Sequence, residues 1–285
     1  MMIEFLGSGG ATTTPKPSCD CAMCLEARTN GVPFSRTGPS IFVHGPQLLI
    51  DTPEESKFQL NRADIRTINA GVYSHWHPDH TAGSRVWEAL NNDWRGWPKQ
   101  SRCTPIYLPH QVARDWDRWL GLGAKFAYYT QIGVVDVREV ADWDSFSVGD
   151  VRVEMLPLAE AYVYAFVLHH DRKRVLIAMD ELFGWTPPTV VQGVDLAIVP
   201  MGIPEFHPLT GERMLPIEHP VLKHEATFEQ TLVMVRQIGA KRTILTHIEE
   251  PFQLRSADLQ QIAVLVQQTH GLSIEFAYDT LKITP

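Results

Sequence analysis

The most informative stretch of this sequence is His75-Trp76-His77-Pro78-Asp79-His80. It follows a short apolar segment of strand length, and it holds three imidazoles and one carboxylate. If the strand stays extended, His75 and His77 point to one side, while Asp79 and His80 enter the following turn. Imidazole and carboxylate together suit Zn, Mn, Fe or Ni, and packing gives no reason to concentrate so many ligands. We therefore predict that this loop supplies two neighbouring metal sites, with histidines that merely pack in a turn as the alternative.

Two later residues occupy similar positions at the ends of apolar strands. Asp180 follows the run at residues 175–179, and His247 follows the run at residues 243–246. A strand-end aspartate alone typically caps a turn. Together with the loop at residues 75–80, however, both residues are candidate metal ligands at the edge of a sheet.

Composition limits the class of protein. The chain has 285 residues, 44% of them apolar and 20% charged, which is typical of a globular protein. Its formal charge of -8 offers no basic surface for phosphate backbones, so long nucleic acid is disfavoured as a partner. No apolar run approaches the roughly 20 residues of a membrane span, and the first residues lack a secretory signal. We expect a cytoplasmic protein with reduced thiols.

Repeats, linkers and charge blocks are absent, so we predict one domain over residues 1–285. Consecutive strands and helices indicate two sheets enclosed by helices. A proline-rich stretch at about residues 202–223 is typical of a lid-like loop. An aromatic-rich elaboration covers about residues 85–130, and its tryptophans are expected to pack that region, with ring stacking as the alternative: Trp87, Trp94, Trp97, Trp116 and Trp119.

The metal loop and the strand-end ligands resemble the metallo-β-lactamase superfamily, whose α/β fold is an αβ/βα four-layer sandwich of dinuclear metal hydrolases. Over nearly the whole chain the sequence is similar to the phosphoribosyl 1,2-cyclic phosphate phosphodiesterases. This similarity rests on Gly7-Ser8-Gly9-Gly10, Cys19-x-Cys21-x-x-Cys24, Ile50-Asp51, Leu156-Pro157-Leu158, Asp180, Ile244-Leu245-Thr246-His247 and Tyr278-Asp279.

The resemblance implies a role for each ligand. One metal would be held by His75 and His77, and the other by Asp79, His80 and His247, with Asp180 as the bridge. A third histidine of the first site is expected two residues after the Leu-Pro-Leu motif. This sequence has Glu160 there, so Glu160 either replaces the histidine as a ligand or leaves the first site weaker.

The cysteine cluster is one ligand short of a closed tetrahedral zinc site. The resemblance implies a structural zinc held by Cys19, Cys21 and Cys24, with the fourth ligand at Glu250 in place of a histidine. Cys103 is a weaker substitute for Glu250. The alternative is a cluster of free, buried thiols or a zinc site that has been lost.

The same resemblance implies a metal-dependent hydrolase, expected to be a phosphodiesterase of a small, cyclic phosphodiester. A hydroxide bridging two divalent ions would attack phosphorus; Zn or Mn is expected there, with Fe or Ni as alternatives. Asp79 and His224 are the predicted catalytic residues, with His224 protonating the leaving oxygen. The alternatives are a pathway protein resembling pyrroloquinoline quinone biosynthesis protein B and an RNA-processing nuclease. The expected partner is the small substrate, with no membrane and with a homodimer left open.

Overall fold

The computed structural model describes residues 1–96 and 102–285, so Trp97 lies outside the described residues. Within these described residues, two mixed sheets of seven strands each form the centre of the molecule. The first sheet has the order β14-β1-β2-β3-β4-β5-β6, with β1 Met2–Gly7, β2 Ser40–His44, β3 Leu48–Ile50, β4 Ala70–Val72, β5 Thr104–Pro109, β6 Val135–Val140 and β14 Lys282–Ile283. The second has the order β13-β12-β11-β10-β9-β8-β7, with β7 Ser145–Val148, β8 Val151–Pro157, β9 Tyr164–His170, β10 Lys173–Ala178, β11 Leu196–Pro200, β12 Thr243–Thr246 and β13 Glu275–Phe276.

The helices cover the outer faces of the two sheets. Side chains of α7 (Phe228–Ile238) and α8 (Ser256–His270) join the outer core of the second sheet. The first sheet carries α2 (Ser56–Arg62), α4 (Val86–Asn91), α5 (His110–Asp115) and α6 (Leu122–Gln131). Two short helices, α1 (Ala22–Asn30) and α3 (Pro78–Thr81), accompany the cysteine cluster and the metal loop.

Strand β10 shows why the sequence folds into layers. Its Val175 and Ile177 are fully buried between the sheets, while Leu176 is fully buried against the helices of the second sheet. A strand covered on both faces has an almost continuous apolar sequence, and successive side chains serve opposite cores. Burying each such side chain stabilises the fold by roughly 1.5–3 kcal/mol. The predicted α/β four-layer sandwich is confirmed.

Parallel pairing brings the functional loops together. Strands β3 to β6 run parallel in the first sheet, and β10 to β13 run parallel in the second. The loops that follow β4, β10 and β12 carry the predicted ligands, and these loops meet at one edge of the sandwich. The strands therefore place at one site residues that are more than 160 positions apart in the chain, His80 and His247.

The aromatic-rich region at 85–130 contributes both core and surface. Trp87 and Trp116 are buried, as expected for packing residues, whereas Trp119 is 54% exposed. The loop at 202–223 is held by isolated bridges and a short 3-10 helix, Pro220–Lys223. The assignment of residues 1–285 to one domain stays a prediction. Within the described ranges, every helix falls short of the length and apolarity that a membrane span requires.

Candidate metal centre

The first group of ligand atoms comes from His75, His77 and Asp180, whose atoms lie within 4.8 Å of one another. His75 follows β4 by three residues, and Asp180 follows β10 by two. His75 Nε2 lies 3.2 Å from Asp180 Oδ2. Burial lowers the pKa of His77 to about 4 and also lowers that of His75. Both imidazoles are therefore neutral at physiological pH, which is the state that binds a metal.

The second group consists of Asp79, His80 and His247. Asp79 Oδ2 lies 3.4 Å from His80 Nε2 and 3.6 Å from His247 Nε2. Burial lowers the pKa of His247, but the carboxylates of Asp180 and Asp79 outweigh this effect and raise the pKa to about 9. A proton on this imidazole balances the carboxylates, and a cation bound in its place would release that proton.

Asp180 lies between the two groups. Its Oδ2 faces His75 at 3.2 Å and His80 Nε2 at 3.7 Å, while its Oδ1 is 3.4 Å from His247 Nε2. One carboxylate thus presents an oxygen to the ligands of each group. This is the arrangement that a bridging ligand requires.

In the part of the chain that the structure describes, four buried polar atoms at this centre have no hydrogen-bond partner: His75 Nε2, Asp79 Oδ2, His80 Nε2 and His247 Nε2. Leaving such an atom unpaired costs roughly 1–3 kcal/mol, and native proteins rarely collect several at one point. Ligands at about 2.0–2.2 Å around a tetrahedral ion lie about 3.3–3.6 Å apart, close to the distances observed here. The residues present therefore fit divalent metal ions.

Asp51 supports the second group from behind. Its Oδ2 accepts hydrogen bonds from His80 Nδ1 at 2.7 Å and from Ser74 Oγ at 2.7 Å, and its Oδ1 accepts from Ser74 N at 2.8 Å. Because Nδ1 of His80 is the donor, its Nε2 lone pair is directed at the metal position. Asp51 directly follows β3 and has a positive φ of 59°. In the sequence, Asp51 was noted only as part of the Ile50-Asp51 motif, without a role of its own.

Gly10, in the glycine motif near the N-terminus, lies directly against the ligand His247. A Cβ at Gly10 would lie 2.4 Å from the ring of His247, so a larger residue would push this ligand away. The loop after β1 therefore approaches the centre closely because Gly10 has no side chain.

The structure does not bring Glu160 into either ligand group. Its backbone carbonyl accepts from Val163 N at 2.9 Å in a turn, and its role as a ligand stays a prediction. Tyr162 lies on this side of the centre instead, with its ring 5.5 Å from the His77 ring. Burial, followed by the charge of Glu160, raises the pKa of Tyr162 to about 12, so its hydroxyl remains a donor.

The predicted acid His224 is exposed, and its backbone N–H donates a hydrogen bond to Val221 O at 3.0 Å. Glu225 faces the centre in its place, together with Glu181 and Glu249. Burial and the charge of Asp180 raise the pKa of Glu181 to about 8 and that of Glu225 to about 7. Sequence reasoning missed these three carboxylates. Their signal was adjacency, because each lies one or two residues from a predicted site residue.

The cysteine cluster forms a separate site. The Sγ atoms of Cys19, Cys21 and Cys24 lie 3.6, 3.5 and 3.6 Å from Glu250 Oε1. Around a tetrahedral zinc, ligands at about 2.0–2.3 Å would be about 3.3–3.8 Å apart. Burial raises the pKa of the Cys24 thiol to about 12, so a cation is needed to hold it as a thiolate. Cys103 is exposed and lies outside this group.

The family model described as a beta-lactamase superfamily domain matches residues 38–248, so the chain belongs to this superfamily. Most of its members are metal-dependent hydrolases. The match spans the metal loop, Asp180 and His247, which are the residues that form the centre.

Solved structures are similar to the chain over its whole length. A diphosphatase from the PhnP family is 22% identical with a TM-score of 0.71, covering 100% of this chain and 97% of its own. Zn²⁺-bound PqqB from Methylobacterium extorquens is 15% identical with a TM-score of 0.67, with 100% of both chains covered. The short form of human tRNase Z is 16% identical with a TM-score of 0.64, covering 100% and 99%. These likenesses show the fold, and the comparison with curated proteins finds no match.

Proposed function

We propose that this protein is a metal-dependent phosphodiesterase that hydrolyses a small, cyclic phosphodiester. The observation that carries the proposal is the position of Asp180, whose two oxygens face the two ligand groups. Two ions held a few ångströms apart suit phosphodiester hydrolysis, because both the attacking and the leaving oxygen need charge neutralisation. The diphosphatase with the same fold supports phosphorus chemistry as the reaction class.

The side chains divide the work of this reaction. When bound, the divalent ions supply Lewis acidity and lower the pKa of water. Asp51 and Ser74 hold the imidazoles of His75 and His80 in the tautomer that leaves Nε2 free. Tyr162 is our proposed hydrogen-bond donor to a phosphate oxygen, because its hydroxyl stays protonated and its ring lies 5.5 Å from the His77 ring. Such a donor would stabilise the charge that develops on the phosphate.

His224 is our proposed acid for the leaving oxygen. It ends the 3-10 helix of the loop at 202–223, next to Glu225, whose side chain already faces the centre. His224 is exposed, and movement of such a loop towards the metals would bring its imidazole to a bound substrate. The proposal therefore links proton transfer to closure of this loop.

The test begins with protein loaded with Zn or Mn and analysed for metal content. Bis(p-nitrophenyl) phosphate and nucleoside 2′,3′-cyclic phosphates are compared with p-nitrophenyl phosphate, a lactone and a thioester. We expect hydrolysis of the diesters and a loss of at least about 100-fold in kcat for Asp180→Asn. The control is Asp150→Asn, an exposed aspartate in the turn between β7 and β8. Hydrolysis of the lactone or thioester without cleavage of any diester would overturn the proposal.

One observation favours a second candidate, a pathway protein similar to PqqB. Glu160 lies outside both ligand groups, so the first group keeps two histidines and shares Asp180. Less than one metal per chain beyond the cysteine site would support this candidate. Cleavage of structured RNA in preference to small diesters would instead support a nuclease.

A further inference from the structure

An exposed tryptophan lies beside the metal centre and is not explained by packing. Trp119 is 54% exposed, although neighbouring Trp116 is 1% exposed. Exposure alone does not distinguish Trp119, because Trp143 is 53% exposed as well. Trp119 differs in that its ring stacks on Trp76, whose ring contacts the metal ligand His77. A contiguous exposed apolar patch commonly marks a binding site.

The backbone holds Trp119 in this position. Residues Trp116–Leu120 form a π-helical turn between α5 and Gly121, which ends the turn in a left-handed conformation. Such turns are rare and frequently occur at functional sites. Trp116 anchors the turn, because its ring packs 4.6 Å from Tyr73 and 4.7 Å from Phe126. Because Trp116 anchors the turn, Trp119 is held at the surface and does not need to be buried to stay in place.

A continuous row of rings connects Trp119 to the metal ligands. The Trp119 ring stacks on Trp76 at 5.8 Å with an interplanar angle of 25°. The Trp76 ring meets the His77 ring edge-on at 4.6 Å, and Tyr162 lies 6.3 Å from Trp76 and 5.5 Å from His77. We name Trp76, Trp119 and Tyr162 the aromatic wall. It extends from the first ligand group to solvent.

The charge on the wall selects the kind of ring. Arg118 is exposed, and its guanidinium carbon lies 4.5 Å from the centre of the Trp119 ring. An exposed guanidinium gives way readily and can then pair with the polar edge of an entering ring or with a phosphate oxygen. A planar ring with hydrogen-bonding edges that is joined to a phosphate matches this arrangement. The ring fits the aromatic face and the nearby guanidinium, and the phosphate fits the metal centre.

We propose that the aromatic wall is a stacking subsite for a nucleobase of the substrate, which makes the preferred substrate a small nucleotide phosphodiester. The inference rests on the proposed phosphodiesterase activity. Stacking of a base on an aromatic side chain contributes about 1–3 kcal/mol and tolerates different bases. Trp119 then determines specificity by holding the ring while the phosphate lies at the metals.

The test compares two substrates that differ only in the base. Adenosine 2′,3′-cyclic phosphate and methyl ribofuranoside 2,3-cyclic phosphate are hydrolysed by metal-loaded protein, and the ratio of their kcat/KM values is measured. We expect the wild type to prefer the adenosine substrate and Trp119→Ala to reduce this ratio by about 5- to 150-fold. Trp119→Phe keeps a ring and should retain most of the ratio. Trp143→Ala is the matched control, because Trp143 is 53% exposed in the turn between β6 and β7.

Binding gives a readout that does not depend on turnover. Calorimetric titration of metal-loaded protein compares adenosine 5′-monophosphate with ribose 5-phosphate, and Trp119→Ala should remove the advantage of the nucleotide. An unchanged ratio of kcat/KM values in Trp119→Ala, or an equal loss in Trp143→Ala, would overturn the inference. The proposed phosphodiesterase function would still stand if the diesters are cleaved. If neither diester is cleaved but nucleotide binding depends on Trp119, the proposed function fails and the subsite remains.

Discussion

Replacing Asp51 with asparagine should weaken metal binding at the second ligand group without unfolding the protein. Asp51 is 1% exposed, and its Oδ2 accepts from both His80 Nδ1 and Ser74 Oγ. An asparagine that keeps the bond from Ser74 N presents its NH₂ group to these donors. The serine hydroxyl can rotate, but the imidazole relieves the conflict only by moving its proton to Nε2. That tautomer has no lone pair for a metal at Nε2.

The size of the effect follows from the hydrogen bond that is lost. A hydrogen bond to a charged group contributes about 1.5–3 kcal/mol, which corresponds to a loss of roughly 10- to 100-fold in metal affinity. Competition with a chromophoric chelator measures this affinity, and circular dichroism checks that the variant is folded. Asp150→Asn is the control with the same chemical change at an exposed position. Affinity equal to the wild type in folded Asp51→Asn would refute the role assigned to Asp51.

Three further predictions concern other parts of the chain. Gly10→Ala places a methyl group 2.4 Å from the His247 ring, so metal affinity should fall at least about 10-fold; unchanged affinity would contradict the contact. Cys24→Ser should release one zinc per chain, seen by elemental analysis, and should lower the melting temperature. The Lys241 ammonium holds the pKa of Asp195 below its usual range. This carboxylate therefore stabilises the fold above about pH 4, and its contribution is lost as the pH falls. In metal-free Asp195→Asn, the free energy of unfolding should decrease less steeply with falling pH than in the wild type.

The local parts of the site could be predicted from the sequence because spacing along one loop determines them. The ligands at 75–80 lie within six residues of one loop, and the expected alternation of side chains along an extended segment agrees with the grouping of His75 with His77 and of Asp79 with His80. The cysteines at 19–24 are close for the same reason, and the distances to Glu250 agree with the fourth position that similarity suggested. Residue type then limits the chemistry, since imidazole, carboxylate and thiolate are metal ligands.

Contacts between distant segments could not be derived in this way. Glu181, Glu225 and Glu249 come from three different loops, and only the packing of the strands places them at the same centre. The exposed position of His224 beside the inward-facing Glu225 depends on the path of an irregular loop. Periodicity carries no information about such a path.

Apolar alternation in the sequence predicted the layered fold, and spacing within a few residues predicted the ligand clusters at 75–80 and 19–24. Similarity to the superfamily predicted Asp180 as the bridge, and in the structure its oxygens lie within 3.7 Å of histidines from both ligand groups. Only the packing of the sheets and helices brings Asp51 to His80 and stacks Trp119 on Trp76. These pairs depend on how sheets and helices pack, which brings together side chains that have no local relation in the chain.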